Sequence, residues 1–388
     1  MKSWRKRIGR SLSPKPLLGG LLAKVEDSSR RAAVFLRYHS RTHVIDPEEC
    51  FSTIRRPIHV FSDRYVRQYE RVRNLPPFEL DSCAPPELIP IHSAFLENIV
   101  LHGHIKAPID AVTGEAKSFY FPHSRLVWGD VFPLPVRRRE IIKGDAIFIP
   151  RLTNLFHLLV EHVIPAFAAA IRSRPDLQKK LTIISQVNFP LLDIFVEFLN
   201  YIGFDADLRL MSHFDEIHVE RLLTSRAKAK DADFNYAYAE EMALMSEFFD
   251  KKIKNIDVPE RVYIERSHTP RRQILNQAEL IKSLSENDIQ SIKFSFENYL
   301  TQIAVFRKSR MIISAHGAAL TNIAFAKPSQ SIIEVFPEDL RPKCYINMAS
   351  QHELNYLPII GSKQSGNEHF SIPIGEVLHA VQLNKREP

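Results

Sequence analysis

"MIISAHGAALTNIAFAKPSQSIIEVFP", residues 311–337, is the stretch on which the fold turns. Two short apolar runs, 311–315 and 331–336, read as buried strands. Between them stand His316, Gly317, Ala318, Ala319, Thr321 and Asn322, where a strand gives way to a helix. In an open α/β sheet, ligands sit at the carboxyl ends of strands, where helices begin. The first amides of a helix lack internal partners and carry the positive end of its dipole. Gly317, Ala318 and Ala319 leave those amides uncovered, so a phosphate fits there and His316 can add a side-chain donor. Close packing is the competing explanation for small residues at such a corner.

Outward from this corner the second half of the chain alternates. After the charged stretch "DKKIKNIDVPE" (250–260) come strand "RVYIE", helix "NQAELIKSL", strand "IQSIKF" and helix "SFENYLTQIAVF". Strand "RMIISA", helix "GAALTNIAFA", strand "SIIEVF" and a closing helix "IPIGEVLHAVQL" complete it. Strands and helices taking turns over such short spans indicate a parallel sheet with helices on both faces. Upstream, "GDAIFIP" (144–150) and "LTIIS" (181–185) read as strands, with an apolar helix at about 153–172 between them. "PLLDIFVEFLNYIG" reads as a helix with Pro190 in its first turn and Gly203 at its end. "ADLRLM" and "EIHVERLL" add strands. Tyr238, Met242, Met245 and Phe249 recur at helical spacing over 236–252. Residues 32–140, rich in Pro, His and Arg, read as irregular β structure. The expected organisation is a basic tail (1–31), a first α/β domain (32–250) and a second (251–388). The cleft between the two domains is the default site.

Composition narrows the class. The 388 residues are 45% hydrophobic and 25% charged, as in ordinary globular proteins. Cys50, Cys83 and Cys344 are scattered, which argues against a disulfide framework or structural zinc and suits a reducing cytosol. No secretory signal pattern opens the chain, so a cytoplasmic location is expected. The most apolar stretch, 152–171, carries Asn154, His157, Glu161 and His162, too polar a set for hydrocarbon. Net charge is +7, and much of the excess lies in residues 1–31, where Glu26 and Asp27 are the only acids. Trp4, Ile8 and Leu12 would give a helix there one apolar edge, fit to lie on an anionic membrane surface. A solvated tail is the alternative. Nucleic acid is not an expected partner: aromatics do not interleave with the basic residues, and no binding module is recognisable.

Two further groups carry chemistry. "YIERSHTPRRQILNQAEL" (263–280) places Arg266, Arg271 and Arg272 after a strand, and guanidinium groups match phosphate oxygens with planar, bidentate donors. A solvated basic loop is the alternative reading, favoured for Arg272. Glu334 ends the next strand and could accept from a ribose hydroxyl, with Phe336 near a base; capping or ion pairing is equally open. In "TNLFHLLVEHVIP", Asn154, His157 and Glu161 share one helical face. His157 oriented by Glu161 forms a base for a hydroxyl proton. His162 points about 100° away from Glu161. A structural core histidine is the plain alternative.

These three motifs, in this order and spacing over roughly 144–360, resemble glycosyltransferase family 61, the capsular-polysaccharide-biosynthesis-like proteins; "HGAALTN" carries the likeness most strongly. The resemblance implies a GT-B architecture, two Rossmann-like domains facing across a cleft. It also implies inverting transfer from a nucleotide diphosphate sugar, a UDP-sugar foremost, without a cofactor or bound metal. Carried over, His157 and Glu161 are catalytic and Asn154 lies on the acceptor side. Arg266, Arg271, Asn276, His316, Gly317, Ala318, Ala319, Asn322 and Glu334 bind the donor. Glu265 stands before Arg266 where a small polar residue is expected. The implied acceptor is a hydroxyl of a growing cell-surface polysaccharide or glycolipid, which would bring the chain to the inner face of the membrane. The rival readings are a catalytically silent carbohydrate-binding or scaffold protein, and a phosphotransferase, for which no GxxxxGK[ST] loop is present.

Overall fold

The computed structural model of the chain describes residues 52–54, 91–103, 108–112, 136–149, 164–172, 174–186, 190–227, 239–266, 272–295, 298–338, 344–363 and 369–385. The expected basic tail, the motif carrying Asn154, His157, Glu161 and His162, and Arg271 lie outside them. The chain divides into two compact units, one built from Met1–Ile54, Ile91–Leu155 and Ala166–Lys228, the other from Arg55–Pro90, Phe156–Pro165 and Ala229–Pro388.

In the first unit the order is β1 (Ser52–Ile54), β2 (Ile91–His102), β3 (Ile109–Asp110), β4 (Arg138–Ile149), α1 (Ile164–Arg172), β5 (Lys180–Ser185), α2 (Pro190–Tyr201), β6 (Asp205–Leu210) and β7 (Asp215–Ala227). The sheet runs β1-β2-β7-β4-β5-β6, with β3 on β2. Strands β7, β4, β5 and β6 pair in parallel, but β2 pairs antiparallel with β1, β3 and β7. The sheet is thus parallel-rich but mixed, a parallel group of four strands extended by antiparallel ones. Parallel neighbours need a long crossover, usually a helix. The alternating pieces of 91–149 show no helical period among the described residues to supply one. The core follows from the pattern: β4 is exposed at its start and buried from Gly144 onward, and Leu192, Phe195 and Leu199 line one face of α2. Asp145, buried on β4, is held bidentately by Arg221 of β7 at 2.6 and 2.9 Å and accepts from the Gln178 amide at 2.7 Å.

The second unit begins its described part with α3 (Ala239–Lys252). The charged stretch after it is tied down. Arg307 grips Asp250 through two 2.8 Å bonds, and Lys308 Nζ donates to the carbonyls of Ile253, Lys254 and Ile256. Then follow β8 (Arg261–Glu265), α4 (Gln277–Ser285), β9 (Gln290–Lys293), α5 (Tyr299–Lys308) and β10 (Met311–Ala315). A 3-10 helix (Ala318–Phe325), β11 (Ser331–Pro337), α6 (Cys344–Gln351), β12 (Asn355–Lys363), β13 (Phe370–Ser371) and α7 (Ile374–Lys385) complete the unit. The sheet order is β13-β12-β11-β10-β8-β9, parallel except for β13. Numbered by their place in the chain, the five parallel strands lie 2-1-3-4-5, a doubly wound order. One face of the sheet packs Ile313, Ala315, Ile333 and Val335 against Leu280 and Leu284 of α4 and Val377 and Val381 of α7. Side chains alternate along a strand, so Ser314, Glu334 and Phe336 fall on the opposite face.

Candidate functional site at the switch point of the second sheet

In a doubly wound sheet the ligand crevice opens where the strand order reverses. Here that point lies between β8 and β10, whose carboxyl ends lead into Arg266 and His316. The two residues meet: Arg266 Nη1 donates to the carbonyl of His316 at 2.9 Å. A methyl group on Gly317 would lie 2.8 Å from that same Nη1, so the guanidinium rests over the glycine. Gln277, first residue of α4, anchors the arm of the arginine by accepting from the Arg266 amide (3.1 Å) and from the Tyr263 hydroxyl (3.2 Å). Arg266 is half-buried, and its Nε has no hydrogen-bond partner among the described residues. Burial, then the charge of nearby Arg272, lowers its pKa. Two guanidinium groups brought together with a donor unused form a place that favours an anion. Arg272 itself sits in the left-handed region, φ 56°.

The small-residue corner supplies more donors. The Leu320 amide donates to the Gly317 carbonyl at 3.0 Å, which opens the 3-10 ladder. The amides of Gly317, Ala318 and Ala319 therefore stand ahead of it. The turn is 3-10 where a plain helix was expected, and Asn322 fits that geometry. Its Nδ2 donates to Ala319, three residues back, at 3.0 Å and to Gln302 of α5 at 3.3 Å. Asn322 is wholly buried, and its Oδ1 has no partner among the described residues.

Behind the corner lies a polar chain in the core. His316 Nδ1 is 2.6 Å from Glu334 Oε1, and the Tyr356 hydroxyl donates to Glu334 Oε2. Glu334 is 0% exposed and His316 8%. The imidazole stacks on Phe336, with centroids 5.3 Å and planes 16° apart, and leans on Tyr345 at 5.3 Å. Glu334 and Phe336 thus support His316 from below; of the roles the sequence left open for Glu334, the contacts within the chain are those of an ion-pairing residue. Asn276 engages both ends of its amide with the backbone of Ile372, at 2.8 and 2.9 Å. Glu265, the departure noted before Arg266, pairs across the sheet with Lys293 at 3.6 Å. Tyr345 and Tyr356 were not singled out in the sequence; each is one aromatic within an apolar segment, without a local cue.

The first unit has an open basin of about 480 Å³ where Arg209 meets Gln186, Ser212 and Asp215. The charge of Arg209 is taken up by Glu140 (2.6 Å) and Asp215 (3.7 Å), so the basin does not rival the switch point as an anion site. Two Asp-x-Asp triplets occur. Asp205 and Asp207 lie exposed at the amino end of β6, while Asp231 and Asp233 lie outside the described residues. Among the described residues no three His, Cys, Asp or Glu side chains gather as metal ligands.

A protein O-linked-mannose β-1,4-N-acetylglucosaminyltransferase 2 of Tetraodon nigroviridis is 31% identical over 87 residues, 22% of this chain and 15% of that protein. The Takifugu rubripes protein of the same name is 27% identical over 154 residues, 38% of this chain and 23% of the relative. An EGF domain-specific O-linked N-acetylglucosamine transferase of Drosophila melanogaster is 30% identical over 138 residues, 31% of this chain. That match covers 26% of the fly protein, so the likeness spans about a quarter or less of each of these three relatives. The model of the glycosyltransferase 61 family matches residues 95–333, well over half of the 388, and takes in the whole of the switch point from β8 through β10. The chain belongs to glycosyltransferase family 61.

Proposed function

We propose that this protein is a glycosyltransferase that binds a nucleotide diphosphate sugar at the switch point of its second unit. The observation that carries the reading is the Arg266–His316 bond across that point, with the guanidinium over Gly317 and the leading amides of the 3-10 helix beside it. Such donors stabilise the charge that grows on a departing diphosphate, the role a metal ion plays in other enzymes. Arg271 belongs to the same cluster in this reading. Asn276 acts at one remove, by fixing the chain around Ile372 against α4. The relatives transfer N-acetylglucosamine by name, which favours UDP-N-acetylglucosamine as donor.

His157, oriented by Glu161 and flanked by Asn154, takes the acceptor proton, and displacement from the opposite face of the sugar inverts the anomeric centre. The acceptor is a hydroxyl of a cell-surface polysaccharide or glycolipid. Residues 1–31 would hold the protein against an anionic membrane, at its cytoplasmic face. The two units would form a GT-B pair. Release of UDP from UDP-N-acetylglucosamine by the full chain, undiminished in excess chelator, is the expected result. Absence of both UDP binding and UDP release would leave the silent carbohydrate-binding reading; loss of release with chelator alone would end the metal-free account.

A further inference from the structure

All but one of the polar atoms of His316 have a partner among the described residues. Its amide donates to Val335 at 2.8 Å, its carbonyl accepts from Arg266, and Nδ1 meets Glu334. Phe336 and Tyr345 pack against the ring. The remaining atom is Nε2, which has no partner among the described residues. Glu334 is wholly buried and accepts at both oxygens, from His316 and from Tyr356. A carboxylate can only accept, so Nδ1 carries a proton and Nε2 is the atom left to gain or lose one. The carboxylate also supplies the countercharge for a ring bearing two protons. Among the described residues, the titratable and charged groups about His316 are Glu334 from β11 and Tyr345 from α6 at the ring, Tyr356 from β12 behind Glu334, and Arg266 after β8 at the carbonyl.

We propose that His316 is the general acid of the transfer, a role that rests on the switch-point reading of the donor site. As the bond between the anomeric carbon and the β-phosphate oxygen breaks, its electron pair passes to that oxygen. The Nε2 proton follows onto the β-phosphate and leaves the ring neutral. The acceptor oxygen forms the new bond to the anomeric carbon, and its proton goes to the base on the acceptor side. Water returns a proton to Nε2 once the nucleotide has gone. Glu334 and Tyr356 are positioning residues that hold the tautomer and the ring.

The test uses the full chain with UDP-N-acetylglucosamine, reading UDP release, and with UDP alone, reading affinity. His316→Gln is expected to lower kcat about 100- to 10,000-fold while UDP affinity stays near the native value. The native kcat should fall on the alkaline side, and that limb should vanish in the variant. Equal losses of rate and affinity, or an alkaline limb that survives, overturn the acid role. Tyr356→Phe keeps the packing but removes one donor to Glu334, so the alkaline limb should move to higher pH; an unmoved limb contradicts the coupling. Spectra of isotope-labelled histidines in the nucleotide-free protein, at a pH below the alkaline limb, give a readout independent of turnover: His316 should carry protons on both ring nitrogens, and a bare Nε2 overturns the proposal. A native chain that fails to bind UDP defeats the donor site beneath it. Native binding with full turnover in His316→Gln defeats the acid alone.

Discussion

Gly317 is a glycine for room rather than for torsion. Its φ of 169° is extended backbone open to any residue, but a Cβ there would crowd Arg266 Nη1 at 2.8 Å. The crowding atom is the far end of a flexible side chain, so the backbone need not move. Gly317→Ala is therefore expected to change stability by no more than about 0.5 kcal/mol and to weaken UDP binding roughly tenfold, or ~1.4 kcal/mol, by displacing the guanidinium. Melting and calorimetry on one preparation check both, and unchanged UDP affinity would detach Gly317 from the site. At this scale the sequence was informative where chemistry is local: His316, Gly317 and Arg266 stand out as a histidine, a glycine and an arginine at strand ends. Tyr356 was not legible. It reaches Glu334 from a strand 22 residues further on, and nothing near it in the sequence announces a buried carboxylate. For Glu334 the sequence left a ribose contact and ion pairing equally open, since burial on a central strand comes from the neighbours that cover it.

Helix α6 and the turn after it carry a pH-sensitive element. His352 follows α6, its amide donates to Met348 at 3.2 Å, and burial pushes its imidazole down to about 4. The unfolded chain takes up this proton near the ordinary 6.5, while the folded unit resists it until about 4. The contribution of His352 is thus complete above pH 6.5, is lost progressively as pH falls to about 4, and changes no further below. Denaturant midpoints of the native protein and of His352→Gln across this window should converge as pH drops; a constant difference would show that the ring does not titrate with folding. Among elements, β10 and β11 were legible because an apolar run bounded by turn residues needs no tertiary information. Helix α6 and β12 were passed over, and the antiparallel pairing of β2 with β7 joins residues more than a hundred positions apart. Pairing at that distance leaves no periodic trace.

For the whole molecule, α/β organisation in two units follows from alternation of strands and helices, whereas the composition of each unit does not. Helix α3 packs in the second unit through an edge contact of Phe249 with Phe325 at 5.4 Å and the Arg307–Asp250 pair, so a charged run that resembles a linker is an anchored corner. Charge runs look alike in sequence whether solvated or paired. In the proposed reading the switch point of the second unit holds a diphosphate through Arg266. Calorimetric titration of UDP into the native chain and into Arg266→Ala measures that contribution. Saturable binding to the native protein is expected, with a loss of about 10- to 100-fold in the variant, the worth of a charged hydrogen-bond donor. Equal affinity in the two proteins would remove Arg266 from the donor site.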